Sequence, residues 1–228
     1  METRTVVDDV SLKSLFDKIE KELKKKEEVR QELQREMRRA TRLSKQAILF
    51  MHQERFDEAR ELLKEASELL AKLDEISKDY PELVYTGLVN AAFEEYVEAH
   101  TFLTLIKEER FINPEELGVP SVSYLLGLSD VIGELRRRTL DSLRREDVET
   151  AENCMQKMEQ IYVELTAMDD AYLLVPGLRR KCDVARHVIE ATRGDLSIET
   201  RRSSLERSIK ELEKTIRRKR KVGKKKAQ

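Results

Sequence analysis

Tryptophan is absent from this 228-residue chain, and glycine, proline and cysteine are scarce, with seven, four and two copies. So few helix breakers favour long helices. Cys154 and Cys182 stand in no metal-like spacing. They are expected to be reduced thiols of a cytoplasmic protein rather than a disulfide framework. His52, His100 and His187 are too dispersed for a zinc site or a catalytic triad. No apolar run is long enough to span a bilayer, and the N-terminus carries no secretory pattern. The expectation is a cytoplasmic protein with no membrane partner.

What is abundant is charge. Asp, Glu, Lys and Arg make up 39% of the chain, and the net charge is only −1. With Leu and Ala filling the intervals, this composition reads as all-α, with about seven helices. The first runs from near Val10 to the region of His52, and the second from about Phe56 to Lys78. Residues 56–63 look superficially like a tetratricopeptide helix, but no 34-residue period follows. Pro81 opens a third helix carrying Glu95 and Glu98. Asn113-Pro114 caps a single turn that Gly118 and Pro120 stop. Helices over Ser121–Arg144, Asp147 to about Met168, and Pro176 to Arg193 follow. Gly194-Asp195-Leu196-Ser197 reads as a break, and Ile198–Arg220 as a last charged helix. The expected division is a helical domain over 1–196 and a charged helix with a basic tail over 197–228.

Two acidic segments carry the chemistry. Glu95 and Glu98 are three residues apart, and Asp130 and Glu134 are four apart. On helices each pair shares a face, with about 5–6 Å between Cβ atoms. Four such carboxylates suit a hard divalent cation, which can activate water at a phosphodiester. Acidic pairs are common in so charged a chain, and Glu58/Glu61 and Glu65/Glu68 read as solvated surface. Glu95 differs, because it falls inside the stripe of Val84, Leu88, Ala92, Ala99, Phe102 and Ile106. Phe93, Tyr96 and Val97 make the opposite side apolar too, so this helix reads as buried around most of its circumference. A carboxylate there needs a partner, a metal or a raised pKa. Asp130, Glu134 and Asp141 lie opposite the core stripe of their helix, a face that is usually solvated. Gly127, one turn before Asp130, permits close approach of a backbone or ligand.

The segment Glu95-Tyr96-Val97-Glu98-Ala99, followed by Tyr124-Leu125-Leu126-Gly127 and then Asp130 with Glu134, resembles the translin/Trax family, and its Trax branch in particular. Ser44-Lys45-Gln46-Ala47-Ile48, with Arg38 one heptad earlier, is similar to the family's first-helix basic motif. Arg193-Gly194 resembles another family segment. The resemblance spans roughly residues 10–196 and is strongest at 94–135. It implies an all-helical bundle of the translin type that assembles, with itself or with a translin-like subunit, into a closed and usually octameric shell. It implies a magnesium-dependent endoribonuclease acting on single-stranded or partly duplex RNA, with manganese as a substitute ion. Matched by position, Glu95, Glu98, Asp130 and Glu134 are the catalytic and metal-holding residues, and Arg38 and Lys45 the RNA-binding ones. The short connection between the acidic helices suits a compact archaeal type. Ser123, where an acidic residue is frequent, and the extension past Gly194 depart from the pattern.

The residues leave alternatives open. Arg38, Arg42 and Lys45 share a helical side, as phosphate-binding groups would or as a solvated face would. Eight basic residues and no acidic one lie between Arg217 and Lys226, leaving the rest of the chain at −9. Such a tail either contacts polyanions or only solubilises. A nucleic-acid-binding protein without catalysis and a helical interaction scaffold are the rival readings. A di-iron bundle would need Glu-x-x-His pairs, and none lies near these sites.

Overall fold

The computed structural model describes residues 11–84, 86–168 and 170–226. Every regular element among them is helical: α1 (Leu12–His52), α2 (Phe56–Ala71), α3 (Leu73–Asp79), α4 (Pro81–Val84), α5 (Gly87–Lys107), α6 (Pro114–Leu117), α7 (Ser121–Arg144), α8 (Val148–Thr166), α9 (Ala171–Leu174) and α10 (Leu178–Lys226). At 1.5 Å per residue, α1 is about 60 Å long and α10 about 75 Å. The Ser11 hydroxyl caps α1 by accepting from the Ser14 amide. Asn113 and Glu116 form a capping box around α6, and Gly118 ends it at φ 63°. A side chain at that left-handed position would be strained, so this glycine sharpens the corner between α5 and α7.

The helices stack in a chain of neighbours. α1 packs on α2 and α5, α5 on α7, α7 on α8, and α10 lies across α7 and α8. One apolar cluster joins Ala47, Met51, Phe102, Ile132, Leu135, Met158 and Leu178. A second joins Leu33, Met37, Leu70, Val89, Phe93 and Tyr96 at the other end of α1 and α5. α5 contributes to both, which explains its burial on nearly every side. Its alternation of small and large apolar residues lets α1, α2 and α7 all approach it.

Three expectations change. The second helix does not run unbroken to Lys78, because a turn at Lys72 separates α2 from α3. Pro81 opens α4, not the helix of Glu95; α5 begins after Thr86, whose backbone is extended. The expected break at Gly194–Ser197 is absent, and α10 continues through it. A helical glycine costs only about 1 kcal/mol, and tertiary contacts hold this stretch. Arg136 donates to Thr192 Oγ1 at 2.6 Å and to Asp195 Oδ2 at 3.3 Å. Arg193 donates to Glu159 at 2.5 Å, and Leu196 packs on the first apolar cluster. The expected start near Val10 and the basic side chains of Arg217–Lys226 lie outside what is described. No helix among the described residues is long and apolar enough to cross a membrane.

Candidate functional site

The site forms where α5 lies between α1 and α7. Gly127 sets the spacing: a Cβ added there would sit 2.5 Å from the Glu94 carbonyl oxygen and 2.7 Å from Val97 Cβ. Only glycine lets α7 come this close to α5, and the approach brings the two acidic pairs face to face. α1 runs parallel to α5, since Lys45 meets Glu95 and, seven residues on in both helices, His52 meets Phe102.

Three of the four carboxylates hold a protein cation or imidazole. Lys45 Nζ lies 2.8 Å from Glu95 Oε1. His52 Nε2 lies 2.5 Å from Glu134 Oε2, with the imidazole packed against the Phe102 ring at 5.0 Å between centroids. From α10, Lys181 donates to Asp130, to Glu94 Oε2 at 3.2 Å and to the Leu126 carbonyl at 3.3 Å. Glu98 alone of the four has no such partner among the described residues.

The consequences appear in the proton affinities. Burial pushes the Glu98 carboxyl up to about 8, and the charges of Asp130, Glu95 and Glu134 push the same way against Lys181. Glu95 raises the affinity of the Lys45 ammonium by hydrogen bond and charge, and Glu98 and Asp130 add to it. Burial lowers that of Lys181, but Asp130 and Glu94 outweigh it and the net shift is upward. His100, one turn from the acidic pair, is buried enough that its imidazole falls to about 4. Its Nε2 finds no partner among the described residues, and its ring meets Tyr96 edge-on.

Glu95, Glu98, Asp130, Glu134 and Lys45 thus share one electrostatic neighbourhood. Arg38 and Arg42 are exposed on α1 and form no ion pair among the described residues. Lys181, Glu94 and His52 complete the site beyond the residues expected from the sequence. His52 had a legible signal, since Arg38, Lys45 and His52 recur every seven residues along one side of α1. Lys181 had none, because nothing local marks which basic residue of α10 turns inward.

An all-oxygen set of four carboxylates fits magnesium or manganese in donor chemistry. Glu98, short of positive charge, is where a cation would gain most. As the side chains stand, no three potential ligands among the described residues close on one point. Lys45, Lys181 and His52 each draw one carboxylate aside. A cation bound at this face would compete with them for these carboxylates.

The match to known proteins follows this architecture. A family model described as the Translin family matches residues 15–192. The chain belongs to the Translin family. A solved AfC3PO–duplex RNA complex is 36% identical, with a TM-score of 0.73, over 81% of this chain and 96% of that one. The crystal structure of apo-NeC3PO is 28% identical, with a TM-score of 0.74, over 86% of this chain and the whole of that one. An uncharacterized protein of Methanocaldococcus jannaschii is 35% identical over 141 residues, 61% of this chain. The match spans 62% of that relative's length. The translin-type helical fold expected from the sequence is the one observed, and the family match ends at residue 192, well inside α10.

Proposed function

We propose that this Translin-family chain is a cytoplasmic, metal-dependent endoribonuclease that cuts single-stranded or partly duplex RNA within a closed shell, either a homo-octamer or a mixed assembly with a translin-like subunit. The observation that carries the reading is Glu98. A carboxyl pushed to about 8 among three other carboxylates is costly to keep unless a cation is to be received there. Similarity to the AfC3PO complex with duplex RNA supports RNA as the polyanion.

Glu95, Glu98, Asp130 and Glu134 would hold magnesium or manganese, which when bound supplies charge neutralisation and Lewis acidity at a phosphodiester. Glu98 or Glu134, whichever stays off the cation, would orient or deprotonate the attacking water, and His52 holds Glu134 in place. Lys45 and Lys181, released from their carboxylates, would meet non-bridging phosphate oxygens. Arg38 and Arg42 extend the basic side of α1 along the RNA backbone, contacts that position RNA without reading its bases.

The test is incubation of the purified chain with labelled single-stranded RNA, with magnesium or with chelator, beside a Glu95→Ala/Glu98→Ala variant. Metal-dependent cutting by the parent alone is expected. A second reading, nucleic-acid binding without cleavage, is favoured by the ammonium groups already seated on Glu95 and Asp130. RNA bound but intact in every lane would establish that reading instead.

A further inference from the structure

Beyond residue 196, α10 first passes the end of α7, where Ile198, Glu199 and Arg202 line an open groove with Leu140 and Leu143. It then extends with an apolar stripe that has no partner among the described residues. Ile198, Leu205, Ile209, Leu212 and Ile216 are 69%, 62%, 48%, 60% and 44% exposed. Their spacings of seven, four, three and four residues match the two core positions, a and d, of a coiled-coil heptad. The whole seam lies beyond the family match, which stops at residue 192. Helices in proteins draw most of their stability from packing an apolar face, so a stripe of this kind is expected to be covered.

We infer that residues 198–216 form a parallel two-stranded coiled coil with the same segment of a second copy of this chain. The core residues select the geometry. Ile209 and Ile216 fall at a, and Leu205 and Leu212 at d, the β-branched and γ-branched arrangement that favours two parallel strands. Arg202 occupies the remaining a position, the kind of single polar core residue that fixes register. Its ion pairs with Glu206 at 3.3 Å and Glu199 at 3.9 Å draw its charge to the flank.

The flanks select direction. Glu199, Glu206 and Glu213 all fall at position e, while Arg201, Ser208 and Thr215 fall at g. In a parallel pair e faces g of the other copy, so Arg201 of each strand meets Glu206 of the second. An antiparallel pair would set the three glutamates against one another. α1 also projects exposed Leu12, Phe16, Ile19 and Leu23, but Glu20 and Glu22 flank that stripe and match the α10 glutamates poorly. The segment thus joins copies of the chain at a point outside the body, whatever chemistry the acidic site performs.

Disulfide trapping in the full chain tests this. Arg202→Cys and Ile216→Cys mark the two ends of the seam, and Arg207→Cys marks its outer side. The native Cys154 and Cys182 are buried, and the unmodified chain gives their background. Each end variant is expected to cross-link to itself roughly tenfold or more faster than Arg207→Cys, because pairing raises the local thiol concentration. Adding Leu205→Glu/Leu212→Glu, two exposed sites whose change leaves the body folded, is expected to remove the difference. Cross-linking only when the two end variants are mixed would overturn the parallel arrangement. Rates equal to that of Arg207→Cys, or cross-linking only to a cysteine placed at Phe16, would overturn the α10 pairing.

Discussion

On α2, Glu58 stands in water beside Arg55, whose hydrogen bonds hold its carboxyl below the ordinary range. On α5, Glu98 stands among three carboxylates, and burial pushes its carboxyl up to about 8. Both belong to acidic pairs at helical spacing in a chain that is 39% charged. The difference lies in what surrounds them. α2 turns its acidic side to solvent, where Asp57 and Glu58 pair with arginines three residues away and Glu65 pairs with Arg39 of α1 at the surface. α5 is enclosed by α1, α2 and α7, and its carboxylates find their cations on other helices. Counting acidic residues does not locate a site; finding where several half-buried ones gather with one left unpaired does.

The largest expected effect is on cleavage. Asp130→Ala should reduce cutting of single-stranded RNA in magnesium to background while leaving RNA binding close to that of the parent. Equal loss of both would make the acidic face a structural feature rather than a reactive one, and the contrast with α2 would collapse.

Stability should follow pH through Glu98. Its carboxyl binds a proton more tightly in the folded chain, at about 8, than at its ordinary 4.5. Between these values the folded state holds more protons than the unfolded one, so stability falls as pH rises across that window. Glu98→Gln removes this cost and should stabilise the chain by roughly 2–4 kcal/mol at pH 9, with little difference near pH 4. Thermal unfolding of both proteins across this range reads it directly, and parallel curves would show Glu98 to be an ordinary carboxylate.

The close approach of α5 and α7 should be sensitive to a single methyl group. Gly127→Ala puts a Cβ against the Glu94 carbonyl and should cost about 1–3 kcal/mol, lowering Tm by roughly 3–10 °C. An unchanged Tm would mean that the helices part without penalty. Smallest of all, Glu58→Gln should leave Tm unchanged within error, because an exposed ion pair contributes little. A marked fall would erase the distinction between the two regions.

Much of this was legible in the chain. The α7 boundaries, the capped turn at Asn113 and the burial of α5 follow from helix periodicity and from side chains that act within a few residues. Each acidic pair was legible because its spacing is local, while their meeting across α5 and α7 is set by the close approach at Gly127. What escaped was set by tertiary contact: α10 passes through Gly194 because Arg136, Glu159 and the core hold it. Lys181 enters the site from a helix whose local sequence shows several equivalent basic residues. Arg217–Lys226 reads as a polyanion-binding or solubilising tail from composition, and its side chains lie outside what is described.

The most direct test is the titration of Glu98 itself, followed by carboxyl-carbon NMR with the Glu98→Gln spectrum assigning the signal. Without divalent cations a midpoint near 8 is expected. Added magnesium should move it down by one unit or more, as charge at that carboxylate is neutralised, by analogy with the roughly 1–3 units an adjacent cation produces. A midpoint in the ordinary glutamate range, unmoved by magnesium, would contradict the claim that this carboxylate is the one left to receive a cation.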